Sequence, residues 1–394
     1  MDIQNIMMAL LRYKLDGAKE TVQKEIGDSL LTAESLSCLY DLSKKHDMAH
    51  MVGAALDELG LMNEDAVSQI ARKFRDQYMI AMMRYQRIKY ELSRLSALLE
   101  EEKICYIPLK GSVIRNSYPE PWMRTSCDID VLVHSEDIER IEALVKERLN
   151  YSPDSKGSHD VAFFSESGIH VELHYDLIED IIFPEAGKIL SSVWESSTHA
   201  SESEYRMIMS GEMFYFYHIA HMAKHFVGGG CGVRPFMDIW ILQGSENFDE
   251  PKRDALLDAG KLLKFEKVAR EVSRCWFGGE AANPITQAVS DFIFEGGVYG
   301  NFEHHVAMQQ VRNGGRLGYA LSKIFLPYEI IKFHYPILQK HKWLTPFYEV
   351  RRWFKLIFCG GAKRSISTLK KNNAISAEEA RNNAMLLDNL GLKN

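Results

Sequence analysis

The hydrophobic period of this chain changes near residue 102, and that change limits the folds open to it. From Val67 to Leu98 apolar residues recur at steps of three and four: Val67, Ile70, Phe74, Tyr78, Ala81, Tyr85, Ile88, Leu92, Leu95, Leu98. This spacing draws one stripe along a helix, predicted from about Glu64 to Glu100. Then the period falls to two. Ile104–Pro108 is a short β-favouring run, Asp128–Val133 reads DIDVLV, and two further runs lie near Asp160–Phe164 and Ile169–Tyr175, joined by a turn at Glu166–Gly168. Between them Ser135 is the expected N-cap of an amphipathic helix through Ile138, Ile141, Val145 and Leu149. Helical patterning resumes from about Phe183, with Phe214–Phe226 ending at Gly228-Gly229-Gly230 and loops or breaks expected at Gly278–Gly279 and Gly296–Gly315. The fold class is therefore α+β. A small α/β core at 102–180 is expected inside a mainly helical chain, with helical regions at 1–101, 181–300 and 301–394.

The strand period also sorts the polar residues. Side chains alternate across a strand, so Asp128 and Asp130 share one face while Ile129 and Val131 take the other. In IHVELHYDL the apolar set is Ile169, Val171 and Leu173, which puts His170, Glu172 and His174 opposite. An antiparallel neighbour beside DIDVLV would bring Glu172 towards the two aspartates. Three carboxylates on adjacent strands are the donor set that a two-metal phosphoryl-transfer site uses. Upstream, Leu109-Lys110-Gly111-Ser112 reads as a strand-to-helix turn. Amides and the positive helix end of such a turn can hold phosphate oxygens, and glycine lets the backbone come close to an anion.

Together these residues resemble the DNA polymerase β-like nucleotidyltransferase superfamily, and within it a group of uncharacterised bacterial nucleotidyltransferases. The pattern is carried by Leu109-Lys110-Gly111, Tyr118-Pro119, Arg124, Asp128-Ile129-Asp130-Val131-Leu132-Val133 and Val171-Glu172-Leu173-His174. It departs in one respect, a connector of 15 residues (113–127) before the first aspartate. The resemblance implies transfer of a nucleoside monophosphate from an NTP, with ATP the expected donor, to an unidentified acceptor hydroxyl. By it, Asp128, Asp130 and Glu172 are the catalytic and metal-binding carboxylates, with Mg²⁺ the expected ion and Mn²⁺ the alternative. Gly111 and Ser112 would contact the phosphates, with Lys110 and Arg124 suited to the same charge. It extends to the helix after Phe214, where His221 and the following Arg234 and Asp238 would flank the nucleotide.

Other features leave alternatives open. His218, His221 and His225 fall at three- and four-residue steps, a spacing compatible with zinc or with helix packing. Arg234 and Asp238 also fit an ordinary i,i+4 helix pair. Net charge is −7, which argues against a general nucleic-acid binder, yet 11 Lys and Arg between Ala320 and Lys371 face only Glu329 and Glu349. That aromatic-rich stretch suits an anionic partner or an ordinary amphipathic helix with snorkelling cations. Nucleotide binding without turnover, as in a regulatory or antitoxin-like protein, and RNA modification through the basic stretch are the rival functions. Six cysteines without a CxxC pair read as reduced thiols. With no signal-peptide pattern and no apolar run of about 20 residues, a cytoplasmic location without a membrane span is expected.

Overall fold

The structure is a computed structural model that describes residues 2–17, 19, 22, 26, 32–62, 68–157, 159–177, 182–244, 249–298, 300–358 and 372–393. Three helices come first: α1 (Ile3–Asp16), α2 (Ala33–Lys45) and α3 (Ala49–Glu58). Thr32 caps α2 by accepting from the Ser35 amide. The long predicted helix is α4 (Ser68–Glu101); its expected start at Glu64 lies outside the described residues. The core follows: β1 (Tyr106–Pro108), the single turn α5 (Gly111–Ile114), β2 (Asp128–Val133), α6 (Ile138–Leu149), β3 (Ser152–Lys156), β4 (Asp160–Phe164) and β5 (His170–His174).

These strands form one sheet in the order β1-β2-β5-β4-β3. β1 runs antiparallel to β2, and β5, β4 and β3 form an antiparallel meander. The central pair corrects the sequence reading: β5 lies parallel to β2, not antiparallel. A parallel neighbour needs a long crossover, and α6 with β3 and β4 supplies it. Two further corrections are local. Ser135 opens a 3-10 turn, Ser135–Asp137, and does not cap α6, which begins at Ile138. Strand β3, sequence SPDSK, is exposed throughout and carries no apolar alternation to announce it.

One face of the sheet is apolar. Ile129 and Val131 of β2 and Val171 and Leu173 of β5 share a core with Ile88 and Leu95 of α4 and Ile141 and Val145 of α6. The alternation that buries this set turns Asp128, Asp130, Glu172 and His174 to the other side.

Beyond the core come α7 (Pro184–Leu190) and a two-stranded ribbon, β6 (Ser197–His199) with β7 (Met207–Met209), in a region read from sequence as helical. Next are α8 (Gly211–Val227), α9 (Arg234–Gln243), α10 (Glu250–Ala259), α11 (Leu263–Phe277) and α12 (Pro284–Gly296). The predicted stops at Gly228 and Gly278 hold. The Gly296–Gly315 stretch, expected as loop, contains α13 (Phe302–Arg312), which Asn301 caps by accepting from the His304 amide. The chain continues through α14 (Arg316–Ile324), α15 (Tyr328–His334), α16 (Ile337–Lys340) and α17 (Thr345–Phe358) to α18 (Ala377–Asn389). Apolar residues of α1, α3, α8, α9 and α11 belong to one continuous core, so the N-terminal helices pack on the helices that follow the sheet. No described helix is long and apolar enough to cross a membrane.

Candidate active site

The polar face of the sheet opens on a cleft of about 540 Å³. One wall is β2, β5 and the turn before α5. The other is helical, with His46 and Asp47 after α2, Arg84 of α4, and residues of α8 and α9. In the parallel register Asp130 stands opposite Glu172, and Asp128 opposite His170. Nine of the ten residues singled out from sequence line this cleft: Lys110, Gly111, Arg124, Asp128, Asp130, Glu172, His221, Arg234 and Asp238.

Ser112 is the exception. Lys110 takes the positive backbone angle (φ 44°) and Gly111 becomes the first residue of α5, which rotates Ser112 away. Its Oγ is buried with no hydrogen-bond partner among the described residues, and Ser112 lines a separate pocket behind the turn. The hydroxyl that does line the cleft belongs to Ser126. Gly111 is closely packed: a Cβ there would stand 3.2 Å from the Ser126 Cβ and 3.3 Å from Arg115 Nη2, so those side chains would have to shift to admit it.

Charge on the sheet wall is concentrated and unevenly balanced. Asp130 is almost fully buried, and its Oδ1 accepts from Lys110 Nζ at 2.8 Å and from His174 Nε2 at 2.8 Å. Burial opposes ionisation, but the Lys110 ammonium and His174 hold Asp130 well below the usual carboxylate range. Asp128 moves the other way, raised by burial and then by the charge of Asp130. Glu172 lies within 3.3 Å of His174 Nε2 and 3.2 Å of His170 Nδ1. Burial disfavours the charged form of His174, yet hydrogen bonds to Asp130 and Glu172 raise it above its ordinary value. Asp130, Glu172 and His174 each offer one ligand atom, all within 4.8 Å of one another, a grouping that could hold a metal ion.

The helical wall is different in kind. Asp238 is fully buried and receives both Nε and Nη2 of Arg124 at 2.8 Å and the Tyr118 hydroxyl at 2.7 Å. Arg234 bonds to Asp47 and to the Thr125 hydroxyl. The alternative of an Arg234–Asp238 helix pair does not form, because the two side chains of α9 reach different, more distant partners. His218 Nε2 meets the Pro235 carbonyl at 3.1 Å, a packing role. His221 and His225 face each other, Nε2 to Nε2, at 3.2 Å. Among the described residues no third ligand joins them, so the zinc alternative lacks a set.

A family described as uncharacterised nucleotidyltransferase matches residues 32–278. The chain belongs to that family. No curated protein and no solved structure matches it. Within this nucleotidyltransferase the matched span takes in α2 to α11, hence both walls of the cleft.

Sequence reasoning missed Ser126 and Asp47 of the cleft lining, and Arg115 in the pocket behind the turn. Ser126 sits two positions before Asp128 and was open to the same strand-parity argument. Arg115 is 4% exposed, and among the described residues its guanidinium bonds the Gly111 carbonyl and Ser126 Oγ (2.7 Å), both neutral. Burial and then Arg124 push it down to about 10, so a positive charge without a bonded anion backs the turn. Asp47 joins from 187 residues before Arg234, and nothing local in sequence marks it.

Proposed function

We propose that this protein moves a nucleoside monophosphate from an NTP, with ATP the expected donor, to an acceptor hydroxyl, using a divalent cation. The register Asp130↔Glu172 carries the reading, because it gathers carboxylates of two strands beside the Gly111 turn in a chain of nucleotidyltransferase family. The donor set suits an ion: three carboxylates crowd one cleft wall, and Asp128 is raised by burial and then by the Asp130 charge, both of which a cation would offset. Carboxylate oxygens favour Mg²⁺, and the nitrogen of His174 makes Mn²⁺ a fitting alternative. Asp128, Asp130 and Glu172 would hold it. Bound there, the ion would neutralise phosphate charge and ease deprotonation of the acceptor hydroxyl.

The chain's own groups supply positioning and charge. Arg115 and Lys110 place positive charge behind and beside the turn, where the triphosphate lies in this reading. Lys110 balances Asp130 through its bond to Oδ1, and with a cation held by the carboxylates its ammonium would be available to the phosphates. The acceptor oxygen bonds to the α-phosphorus as the bond to pyrophosphate breaks. Its proton passes to Glu172, which is 24% exposed and the reachable base. His221, Arg234 and Asp238 shape the far side of the nucleotide pocket.

The test is transfer of labelled NTP to pooled candidate acceptors with Mg²⁺ or Mn²⁺. Wild type should release pyrophosphate, and D128N/D130N should lose turnover by about 10²–10³-fold. Equal rates in both would remove the metal reading. One observation favours a second reading, nucleotide binding without turnover: Lys110 and His174 already fill Asp130 Oδ1. It expects tight NTP binding and no pyrophosphate release with any acceptor pool.

A further inference from the structure

Helix α17 is inside out. Phe347, Val350, Phe354 and Phe358 recur at steps of three and four, and all four are exposed, with Phe354 at 58% and Phe358 at 76%. Glu349 and Arg352 of the same helix point inward. Glu349 is buried and accepts from the Leu326 amide at 2.7 Å and from Arg352 Nε at 2.9 Å, while Trp353 Nε1 donates to the Ile324 carbonyl at 2.7 Å. The bonds to Leu326 and Ile324 fasten α17 to the end of α14. Helix α14 shows the same inversion: Leu317, 81% exposed, Leu321 and Ile324 form its outer stripe, followed by exposed Phe325. Trp343, before α17, is 76% exposed. Each stripe has cations at its side, Lys323 on α14 and Arg351 and Lys355 on α17, all exposed.

We infer that residues 316–358 form a docking surface for an anionic lipid bilayer. Apolar side chains that hydrogen bonds hold outward, rather than inward, need a non-aqueous partner. Phe, Trp and Leu beside Lys and Arg are the composition of a helix that lies in a bilayer interface, and negative headgroups complement the cations. A second copy fits less well, because a two-fold contact sets each patch against itself and brings Lys323, Arg351 and Lys355 against like charge. RNA fits less well too, since Leu317, Leu321, Ile324 and Val350 offer no ring for a base to stack on. The surface lies beyond the residues that the family accounts for, and it would hold the enzyme at a membrane without spanning it.

The experiment is flotation of the full chain with vesicles of equal parts phosphatidylglycerol and phosphatidylcholine, and with phosphatidylcholine alone. Wild type should float with the anionic vesicles and much less with the neutral ones. F347S/F354S/F358S should weaken binding roughly tenfold or more. R351Q/K355Q should lose the preference for the anionic vesicles. Unchanged melting temperature and NTP affinity would show that both variants remain folded. Absence of wild-type flotation overturns the inference. So does tighter binding to single-stranded RNA than to vesicles, or a dimer in light scattering that the serine variant dissociates while vesicle binding persists.

Discussion

His174 and His46 line the same cleft, yet their surroundings move them in opposite directions. On the sheet wall, hydrogen bonds to Asp130 and Glu172 lift His174 above its ordinary value against the cost of burial. On the helical wall, burial and then the Lys45 charge push His46 down to about 4. His50 and His225 are lowered to about 4 as well, each chiefly by burial, and His221 falls well below its ordinary value. The carboxylates divide similarly. Asp238 and Asp47 are each matched to an arginine, while Asp128, Asp130 and Glu172 share Lys110, His174 and His170. One wall has settled its charges internally and acts as architecture. The other keeps an imbalance that a cation and an anionic substrate would complete.

The largest effect should come from breaking the settled wall. Asp238→Ala leaves the buried Arg124 guanidinium without its carboxylate, and the loss of an ion-pair partner in such a place costs about 3–5 kcal/mol. Denaturant unfolding measures it directly. A change within about 1 kcal/mol would mean that the helical wall is not held together in this way.

The imidazoles give the next effect, and its sign differs between the walls. The native state holds His46 and His50 near 4, while the unfolded chain protonates them near their ordinary 6.5. Their contribution is complete above that upper value and is lost as pH falls towards the lower one, because the unfolded chain takes up protons first. By pH ~5 each should cost about 1–2 kcal/mol. His174 runs in reverse, contributing fully below 6.5 and losing its share as pH rises through the raised native value. Unfolding midpoints between pH ~6.5 and ~5 should therefore fall in wild type, and His46→Asn should flatten the slope. A flat wild-type profile would erase the contrast between the walls.

The sheet wall was largely legible in sequence, and the helical wall was not. Alternation in DIDVLV and VELH fixes which side chains share a face whatever the strand direction, so Asp128, Asp130 and Glu172 could be grouped even though the pairing was read as antiparallel. Alternation is silent on direction; the crossover through α6, β3 and β4 decides it, and β3 has no apolar pattern to reveal that crossover. Ser112 was misplaced by the same limit. Sequence shows a Gly-Ser turn but not that Lys110 takes the positive φ and turns Ser112 behind it. Asp47–Arg234 and Arg124–Asp238 are contacts between distant segments, and no local period encodes them. The aromatic stretch near α17 showed its amphipathic spacing but not which face meets water.

The smallest prediction tests the imbalance itself. The native state holds the Asp128 carboxyl above its ordinary value, chiefly through burial and then the neighbouring Asp130 charge, so ionised Asp128 costs stability wherever it is charged. Asp128→Asn keeps the shape and removes that charge. At neutral pH the variant should be more stable than wild type, by about 1 kcal/mol, while losing turnover. The gain should shrink as pH falls below the carboxylate range, where wild type is neutral too. Added Mg²⁺ or Mn²⁺ should raise the melting temperature of wild type more than that of the variant, because only the former retains the full donor set. A variant less stable than wild type would place Asp128 among groups already satisfied, like Asp238, and the two walls would then differ in residue type alone.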